Sequence, residues 1–430
     1  MNILWVVHDV LEQFAQNVKK GEPTYGGSWV TPLFDALMKE DSNVIGVITP
    51  VVNGEYLKVS NGKSIFYSIP IKKGDNLKYH RRENVEFYLK AVNDFKPDII
   101  HFHGTEKNFG LLRKFVAPEI PMVGSLQGII NSYLPYLLMS SSEFNRRKYK
   151  SVKNWLGRGG IDAFIRKWNF YKKIEKDIFQ INQYFIGRTL WDKAQAYSLN
   201  ENIKYYHGEE LLRKAFSDSE WDINKCNKKS IFISSGAYPV KGLHTLIEAV
   251  NLLKTRYPEI KVYVPLFGKI GELRLRDYLF GDDYSNYIKT LIKKYNLQTS
   301  FIPLNRLNAQ EMADRFKQSH VFVISSFIEN SPNSLGEAMK IGVPTVVSYT
   351  GGIGSMLKDE QSSLFFPIGD FRTLAQQIKR IFESDDLAVK LSKNAQIIAE
   401  NRHNVISATN QYMDIYSQII ATHNESFTSI

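Results

Sequence analysis

The segment 321–352, VFVISSFIENSPNSLGEAMKIGVPTVVSYTGG, constrains the fold more than any other part of the chain. It opens with a short apolar run rich in β-branched residues, which predicts a buried strand. A turn-rich stretch leads to Pro332 and Asn333, where polar N-cap candidates predict the start of a helix that Gly342 and Pro344 end. A second strand is predicted at residues 345–348. The segment is therefore predicted to be a βαβ unit of a parallel sheet.

The predicted helix begins at the carboxyl end of a strand, the edge at which open parallel sheets bind their ligands. A helix N-terminus offers N–H groups and the positive end of its dipole to an anion such as a diphosphate. Glu329 and Glu337 accept hydrogen bonds, so they suit the hydroxyls of a sugar and a ribose rather than phosphate oxygens. These groups predict a nucleotide-sugar site. The simpler interpretation is an acidic helix start that complements the dipole.

Strand and helix patterns alternate along the rest of the chain in two sets. The first set has predicted strands at residues 3–7, 44–49, 64–71, 97–104, 122–125, 184–187 and 202–206, with helices at 29–40 and 82–95. The second set has further strands at 230–235, 262–267 and 301–303, with helices at 243–257, 287–295, 309–318, 373–384, 387–400 and 406–420. This order predicts an α/β protein with two doubly wound, Rossmann-like domains that face a cleft.

The predicted domain boundaries follow from composition. The N-terminal domain covers residues 1–216 and carries a basic helical insertion at about 132–180, and the polar segment 217–229 is predicted to be a linker. The C-terminal domain covers 230–405, and residues 406–430 form a terminal helix. A single cysteine, Cys226, excludes a disulfide framework and a thiolate-rich metal site. The start MNILWVVHDV has no basic n-region, and no apolar window could span a bilayer, so we expect a cytoplasmic protein.

Five motifs occur in one order along the chain. They are Gly26-Gly27, the strand DIIHFH at 98–103, Ser235-Gly236 with Lys241-Gly242, the pair Glu329 and Glu337 separated by seven residues, and Gly351-Gly352. In these motifs the chain resembles the retaining glycosyltransferases of family 4, which have the GT-B architecture. The sequences ENSPNSLGEAM, HGTE and LQG are similar to those of the family branch found in bacterial capsule, exopolysaccharide and lipopolysaccharide gene clusters. The resemblance implies that the last helix crosses back to the first domain.

The resemblance also implies a donor site. Glu329 would hold hydroxyls of the donor sugar and stabilise positive charge at its anomeric carbon, and Glu337 would bind the ribose. The backbone N–H groups of Asn333 and Ser334 would hold the diphosphate together with Lys241. Gly27 would let the first loop approach the phosphates closely, since a Cβ would obstruct it, and Gly236 would also belong to the donor site.

Two positions depart from the family pattern. Ala237 stands where an arginine is usual, and Arg188 could replace that charge or be a surface residue. Gln127 stands where many members carry a histidine, and it can orient an acceptor but cannot take a proton. In the front-face mechanism proposed for this class the leaving phosphate takes that proton.

The acceptor side is less specific. Glu106 is a candidate for acceptor binding or a supporting base, or it caps the helix after Gly104. His101 and His103 point to the same face of a strand, so both reach the ligand or both are buried. His103, Gly351 and Gly352 are predicted to contact the acceptor.

No Asp-x-Asp metal motif stands in a convincing place, because Asp282-Asp283 lies in the polar stretch FGDDYSN. A lysine and helix dipoles would take the role that a divalent cation has in other transferases, so no metal or other cofactor is expected. The donor's base and sugar would be selected by loops such as 268–272, which have no transferable code.

The insertion combines charge with aromatic residues. Between residues 146 and 176 there are eleven Lys or Arg but only Asp162 and Glu175 as acids, and Trp155, Phe164, Trp168, Phe170 and Tyr171 lie among them. Such a segment suits an anionic membrane surface. Nucleic-acid binding and a solvated helix pair are the alternatives. The membrane interpretation explains more, since growing bacterial glycans are carried on a polyprenyl diphosphate lipid, and no nucleic-acid partner is expected.

We therefore expect a metal-independent, retaining hexosyltransferase at the inner face of the cell membrane. It would move a sugar from a nucleoside diphosphate to a glycan or a polyprenyl-diphosphate-linked acceptor in surface polysaccharide synthesis. A sugar-nucleotide epimerase on the same fold, and a non-catalytic scaffold of a polysaccharide assembly complex, are the other interpretations.

Overall fold

The computed structural model describes residues 1–17, 30–52, 54–72, 82–142, 146–217, 220–265 and 274–428. These residues divide into two compact units. The first unit comprises residues 1–131, 171–213 and 403–430, and the second comprises residues 132–170 and 214–402.

The first unit is built on an eight-stranded sheet. Its strands are β1 (Asn2–Val6), β2 (Val44–Val52), β3 (Leu57–Asn61), β4 (Ser64–Ile71), β5 (Ile99–His103), β6 (Met122–Ser125), β7 (Tyr184–Gly187) and β8 (Lys204–His207). Their order in the sheet is β3-β4-β2-β1-β5-β6-β7-β8, and all neighbours are parallel except β3, which runs antiparallel to β4. The chain leaves β1 toward one edge and returns to β5 on its other side, so the strand order reverses between β1 and β5.

The second unit is built on a six-stranded parallel sheet. Its strands are β9 (Asn227–Phe232), β10 (Lys261–Pro265), β11 (Phe301–Leu304), β12 (Ser319–Ile324), β13 (Thr345–Ser348) and β14 (Leu364–Phe366). Their order is β11-β10-β9-β12-β13-β14, so the strand order reverses between β9 and β12. Two parallel-sheet α/β units confirm the predicted fold class.

Helices connect the strands. In chain order they are α1 (Val30–Leu37), α2 (Arg82–Phe95), α3 (Ile130–Ser142), α4 (Arg146–Tyr149), α5 (Val152–Trp155), α6 (Gly160–Ile181), α7 (Leu190–Leu199), α8 (Leu243–Lys254), α9 (Leu275–Phe280), α10 (Asp283–Lys294), α11 (Ala309–Gln318), α12 (Asn333–Ile341), α13 (Phe371–Glu383), α14 (Asp385–Arg402) and α15 (Val405–Thr428). None of the described helices combines the length and the apolar composition that a membrane span requires.

The last helix completes the core of the first unit. Trp5 in β1 is fully buried, and its indole N–H donates to the hydroxyl of Tyr416 in α15 at 3.3 Å. Tyr412, Ile415 and other residues of α15 pack in the same apolar cluster as β1. This packing confirms that the C-terminal helix returns to the first domain.

The expected linker contributes to the second core. Trp221 is buried, and its indole N–H donates to the carbonyl of Ser319 at 2.8 Å. Cys226 is buried in the same cluster, and β9 already begins at Asn227. The polar composition of 217–229 obscured these buried residues in the sequence, because three apolar side chains in thirteen residues, Trp221, Ile223 and Cys226, produce no periodic signal.

The insertion also differs from expectation. Residues 132–170 group with the second unit, whereas the sequence analysis assigned the whole insertion to the first domain. The reason is an apolar contact, since Leu134, Leu137 and Ile161 form one buried cluster with Val240.

Candidate active site

Helix α12 starts at the topological switch point of the second sheet, where ligands of open α/β sheets bind. Its N-cap is Pro332, which makes no side-chain capping hydrogen bond. The helix therefore begins at Asn333, which is not the N-cap that the sequence suggested. Proline has no N–H and its fixed φ suits this position. The backbone N–H groups of Asn333 and Ser334 stand in the first turn, where an anion gains from the helix dipole.

Glu329 lies in the loop between β12 and α12, with its side chain 10% exposed. One carboxylate oxygen, Oε1, accepts a hydrogen bond from the hydroxyl of Ser326 at 2.6 Å. The same oxygen is 2.6 Å from Nζ of Lys241, which follows β9. The loops after β9 and β12 therefore bring a carboxylate and an ammonium into contact at the switch point.

The loop that carries Lys241 is fixed by close backbone contact. Gly242 adopts φ +67°, and a Cβ built on it would lie 1.8 Å from the carbonyl oxygen of Ser325. The Ser325 hydroxyl donates to the carbonyl of Lys241 at 3.1 Å, and the N–H of Phe327 donates to the carbonyl of Val240 at 2.7 Å. Glycine is required here for both conformation and space, which explains the Lys241-Gly242 pair.

Gly351 and Gly352 contact the backbone of Glu329. Gly351 has φ +51°, and a Cβ on it would lie 1.9 Å from the Glu329 carbonyl oxygen. The N–H of Gly352 donates to the same oxygen at 3.0 Å. These contacts position Glu329, and an acceptor-binding role for the two glycines stays a prediction.

Two other predicted donor residues, Glu337 and Gly236, lie in the same unit. Glu337 is buried in α12, eight positions after Glu329. Gly236 is buried between β9 and the turn that carries Lys241, and Ala237 beside it is half-buried. The residues Gly26 and Gly27 and the loop 268–272 lie outside the described part of the chain.

The first unit has a pocket at its own switch point. Three predicted residues, His103, Glu106 and Gln127, line one cavity of about 120 Å³ beyond the ends of β1, β5 and β6. The remaining lining residues are Val7, His8, Asp9, Val10, Leu11, Val30, Thr31 and Lys107. Sequence reasoning missed His8, Asp9 and Lys107. The signal was present, because His8 and Asp9 directly follow the first strand and share its sheet edge.

Glu106 is a half-buried carboxyl in this pocket. Burial raises its pKa to about 7, and the carboxylate of Glu175 adds to the effect. Gly104, at φ +94°, leaves room for the carboxyl, since a Cβ there would lie 2.8 Å from Glu106 Oε2. A carboxyl with a pKa near neutrality can exchange a proton with a ligand at physiological pH.

His101 and His103 are both buried, as one of the two interpretations held. Their rings stack with centroids 3.9 Å apart. The ring nitrogens of His101 lie 2.7 Å from the Tyr416 hydroxyl and 2.6 Å from Oγ of Ser125. Burial lowers the pKa of His101 to about 3 and that of His103 well below its usual value. Both imidazoles are therefore neutral, so His103 can form hydrogen bonds in the pocket but adds no charge.

Arg188 is nearly buried in the first unit. Its guanidinium lies 2.6 Å from a carboxylate oxygen of Glu210, which is fully buried, so its charge is already balanced. The backbone N–H of Arg188 donates to Asp192 at 2.8 Å. The sequence allowed a surface arginine or a diphosphate ligand. The first is wrong, and the second stays a prediction.

The paired aspartates have structural partners. Asp282 caps α10 by accepting from the N–H of Ser285 at 3.1 Å. Asp283 is buried and accepts from the side-chain amide of Asn154 at 2.7 Å and from the N–H of Ile161 at 3.1 Å. Within the described ranges, no three His, Cys, Asp or Glu side chains cluster as metal ligands would.

Known proteins are similar to the part of the chain around Lys241 and Glu329. Residues 215–397 match the family model of glycosyl transferases group 1. The putative glycosyltransferase YtcC of Bacillus subtilis is 28% identical over 361 residues, covering 81% of this chain and 79% of YtcC. The UDP-Gal:alpha-D-GlcNAc-diphosphoundecaprenol alpha-1,3-galactosyltransferase of Escherichia coli is 26% identical over 131 residues, 30% of this chain and 34% of that enzyme.

A solved structure shares the fold across the chain. Sucrose-phosphate synthase from Thermosynechococcus elongatus superposes with a TM-score of 0.69 at 15% identity, covering 98% of this chain and 99% of that one. At this identity the likeness concerns the arrangement of helices and strands alone.

Proposed function

We propose that this chain, which carries a group 1 glycosyltransferase domain at residues 215–397, is a retaining glycosyltransferase. Its donor is a nucleoside diphosphate sugar, and its acceptor is a glycan or a polyprenyl-diphosphate-linked oligosaccharide of a bacterial surface polysaccharide. The chain works at the cytoplasmic face of the cell membrane and needs no metal. The Escherichia coli relative, whose name contains a UDP-sugar and a diphosphoundecaprenol acceptor, supports this choice of substrates.

The observation that carries the proposal is the contact of Lys241 with Glu329 beside the N-terminus of α12. A cation and a helix N-terminus together suit a diphosphate, and a carboxylate beside them suits sugar hydroxyls. Lys241 and the first-turn N–H groups stabilise the negative charge that grows on the leaving diphosphate. Glu329 stabilises the positive charge at the anomeric carbon.

The proposed transfer step needs no cofactor, since every bond broken is matched by a bond formed between donor and acceptor. The acceptor oxygen forms a bond to the anomeric carbon on the face from which the diphosphate leaves. The bond from that carbon to the diphosphate oxygen breaks, and its electron pair stays on the diphosphate. The acceptor proton passes to the leaving phosphate. Gln127 and His103 orient the acceptor by hydrogen bonds, and Glu106 supports proton transfer.

The proposal is tested by thermal-shift titration of the full chain with UDP, GDP, ADP and CMP and their sugar conjugates, with and without EDTA. We expect a selective rise of Tm with one nucleotide that EDTA does not change and that Lys241→Ala abolishes. Lys225→Ala is the matched control, because Lys225 is an exposed lysine of the same unit. A rise that EDTA removes would overturn metal independence, and no rise with any nucleotide would overturn the donor site.

A further inference from the structure

Two helices of the second unit expose apolar side chains beside each other. Helix α5 and the residue after it expose Val152, Trp155 and Leu156, and α9 exposes Leu275, Tyr278 and Phe280. The two helices are in contact. Trp155 is 74% exposed, Leu275 76% and Phe280 64%. We call these six residues the α5–α9 surface. Large apolar side chains that gather on one face mark an interaction site.

Buried and partly buried hydrogen bonds link the segments that carry α5 and α9. The side-chain amide of Asn154 in α5 donates to the carbonyl of Gly281 at 3.0 Å and to Asp283 at 2.7 Å. The side-chain amide of Asn286 donates to the carbonyls of Tyr149 and Asp277, each at 3.2 Å. The exposed side chains therefore stand on a fixed support that joins two distant parts of the sequence.

Two other aromatic residues of the segment, Phe164 and Trp168, are packed. Phe164 stacks on Tyr238, with ring centroids 5.8 Å apart and planes 13° apart, and it also contacts Trp168. Their apolar area is used inside the unit. Phe170 of the segment is 45% exposed, and Trp155 is 74% exposed, so Trp155 is the more exposed of the two.

Four exposed cations are close in sequence to the residues of the α5–α9 surface, and one exposed acid, Asp282, follows Phe280 by two positions. Lys153 and Arg158 are exposed beside Trp155, and Arg274 and Arg276 are exposed beside Leu275. The one acid within α9, Asp277, is paired with Lys289 at 2.9 Å. Exposed apolar side chains with cations next to them in sequence fit a bilayer with anionic headgroups, because the aromatic rings and leucines can enter the interface while the cations contact the phosphates.

We infer that the α5–α9 surface docks this protein on an anionic phospholipid bilayer. The inference goes beyond the proposed transfer reaction and does not depend on it, since docking needs no nucleotide sugar. It assigns membrane contact to one face of the basic insertion. It also adds α9, which the sequence did not predict.

The experiment is co-sedimentation of the full chain with vesicles of equal parts phosphatidylglycerol and phosphatidylcholine, compared with phosphatidylcholine alone. We expect binding to the anionic vesicles that weakens as salt is added. Trp155→Ser with Phe280→Ser is expected to lower the partition coefficient by about tenfold or more. Leu252→Ser with Ile397→Ser is the matched control, because both side chains are exposed on other helices of the same unit, and it should change binding by less than about twofold.

Each variant is first checked for an unchanged Tm and for its nucleotide-induced shift, which separates loss of docking from loss of folding or of the donor site. Equal binding to neutral vesicles, or equal loss in the control pair, would overturn the inference. The inference would also be overturned if sedimentation velocity showed that Trp155→Ser with Phe280→Ser dissociates a dimer of this chain while vesicle binding is absent. Binding of a short single-stranded DNA in place of vesicles would also overturn the inference if the same variant loses that binding.

Discussion

Lys241 Nζ lies 2.6 Å from Glu329 Oε1, although the two residues are 88 positions apart in the chain. The ion pair is partly buried, and Ser326 donates a further hydrogen bond to the same carboxylate oxygen. A nucleotide sugar that places phosphate at Lys241 and hydroxyls at Glu329 would replace this contact. The two residues should therefore respond differently to mutation.

Glu329→Ala is expected to lower the transfer rate by about 10²–10³-fold, because a preorganised charge at the reacting carbon is lost. The Tm shift with the nucleoside diphosphate alone should persist, since Lys241 and the α12 N-terminus remain. Transfer is measured with the donor that titration identifies. A variant that keeps full transfer, or that loses the shift with the diphosphate, would contradict the assigned role of Glu329.

Gly242→Ala is expected to destabilise the second unit by at least about 2 kcal/mol, since the left-handed conformation and the contact with the Ser325 carbonyl both oppose a side chain. Gly157→Ala is the matched control. Gly157 also has a positive φ, +75°, but a Cβ there meets nothing within 4 Å. Urea unfolding measures both. Equal losses would show that conformation alone, and not the close approach at Ser325, accounts for the glycine.

Glu106 should make stability depend on pH. Its folded pKa of about 7 lies above the ordinary value of 4.5, so the folded chain holds a proton that the unfolded chain releases in this range. The free energy of unfolding should fall as pH rises from about 4.5 to about 7, by up to roughly 3 kcal/mol from this group. Glu106→Gln should remove this part of the decline.

The measurement is urea unfolding at about pH 5 and about pH 8 for wild type and Glu106→Gln. Glu119→Gln, at an exposed carboxyl of the same unit, is the control. If Glu106→Gln loses as much stability as wild type between the two pH values, the raised pKa is refuted.

Arg188→Met is expected to destabilise the first unit by about 3–5 kcal/mol, because it leaves the carboxylate of Glu210 buried without its cation. The double variant Arg188→Met with Glu210→Met should recover most of this loss. Denaturant unfolding tests both statements. The nucleotide titration of the folded double variant then decides the remaining question, since a lost Tm shift would make Arg188 a donor ligand as well.

Several elements followed from sequence because their signals are local. The limits of α2, β6, β7 and α11 agree with the prediction, since apolar periodicity and capping residues lie within the elements themselves. The start of α12 and the position of Glu329 before it were predicted for the same reason. Strands β3 and β14 and helix α9 were missed, because each is short and carries too few residues for a periodic pattern.

Only the tertiary structure could show which distant segments contact one another. Sequence proposed Lys241 and Glu329 as donor ligands but could not show their ion pair, which depends on β9 lying next to β12 in the sheet. It could not join His8 to Glu106 and Gln127 in one pocket, or α5 to α9 on one surface. Periodicity reports which face of an element is apolar, whereas the partner that covers that face is chosen by packing and hydrogen bonds across the whole fold.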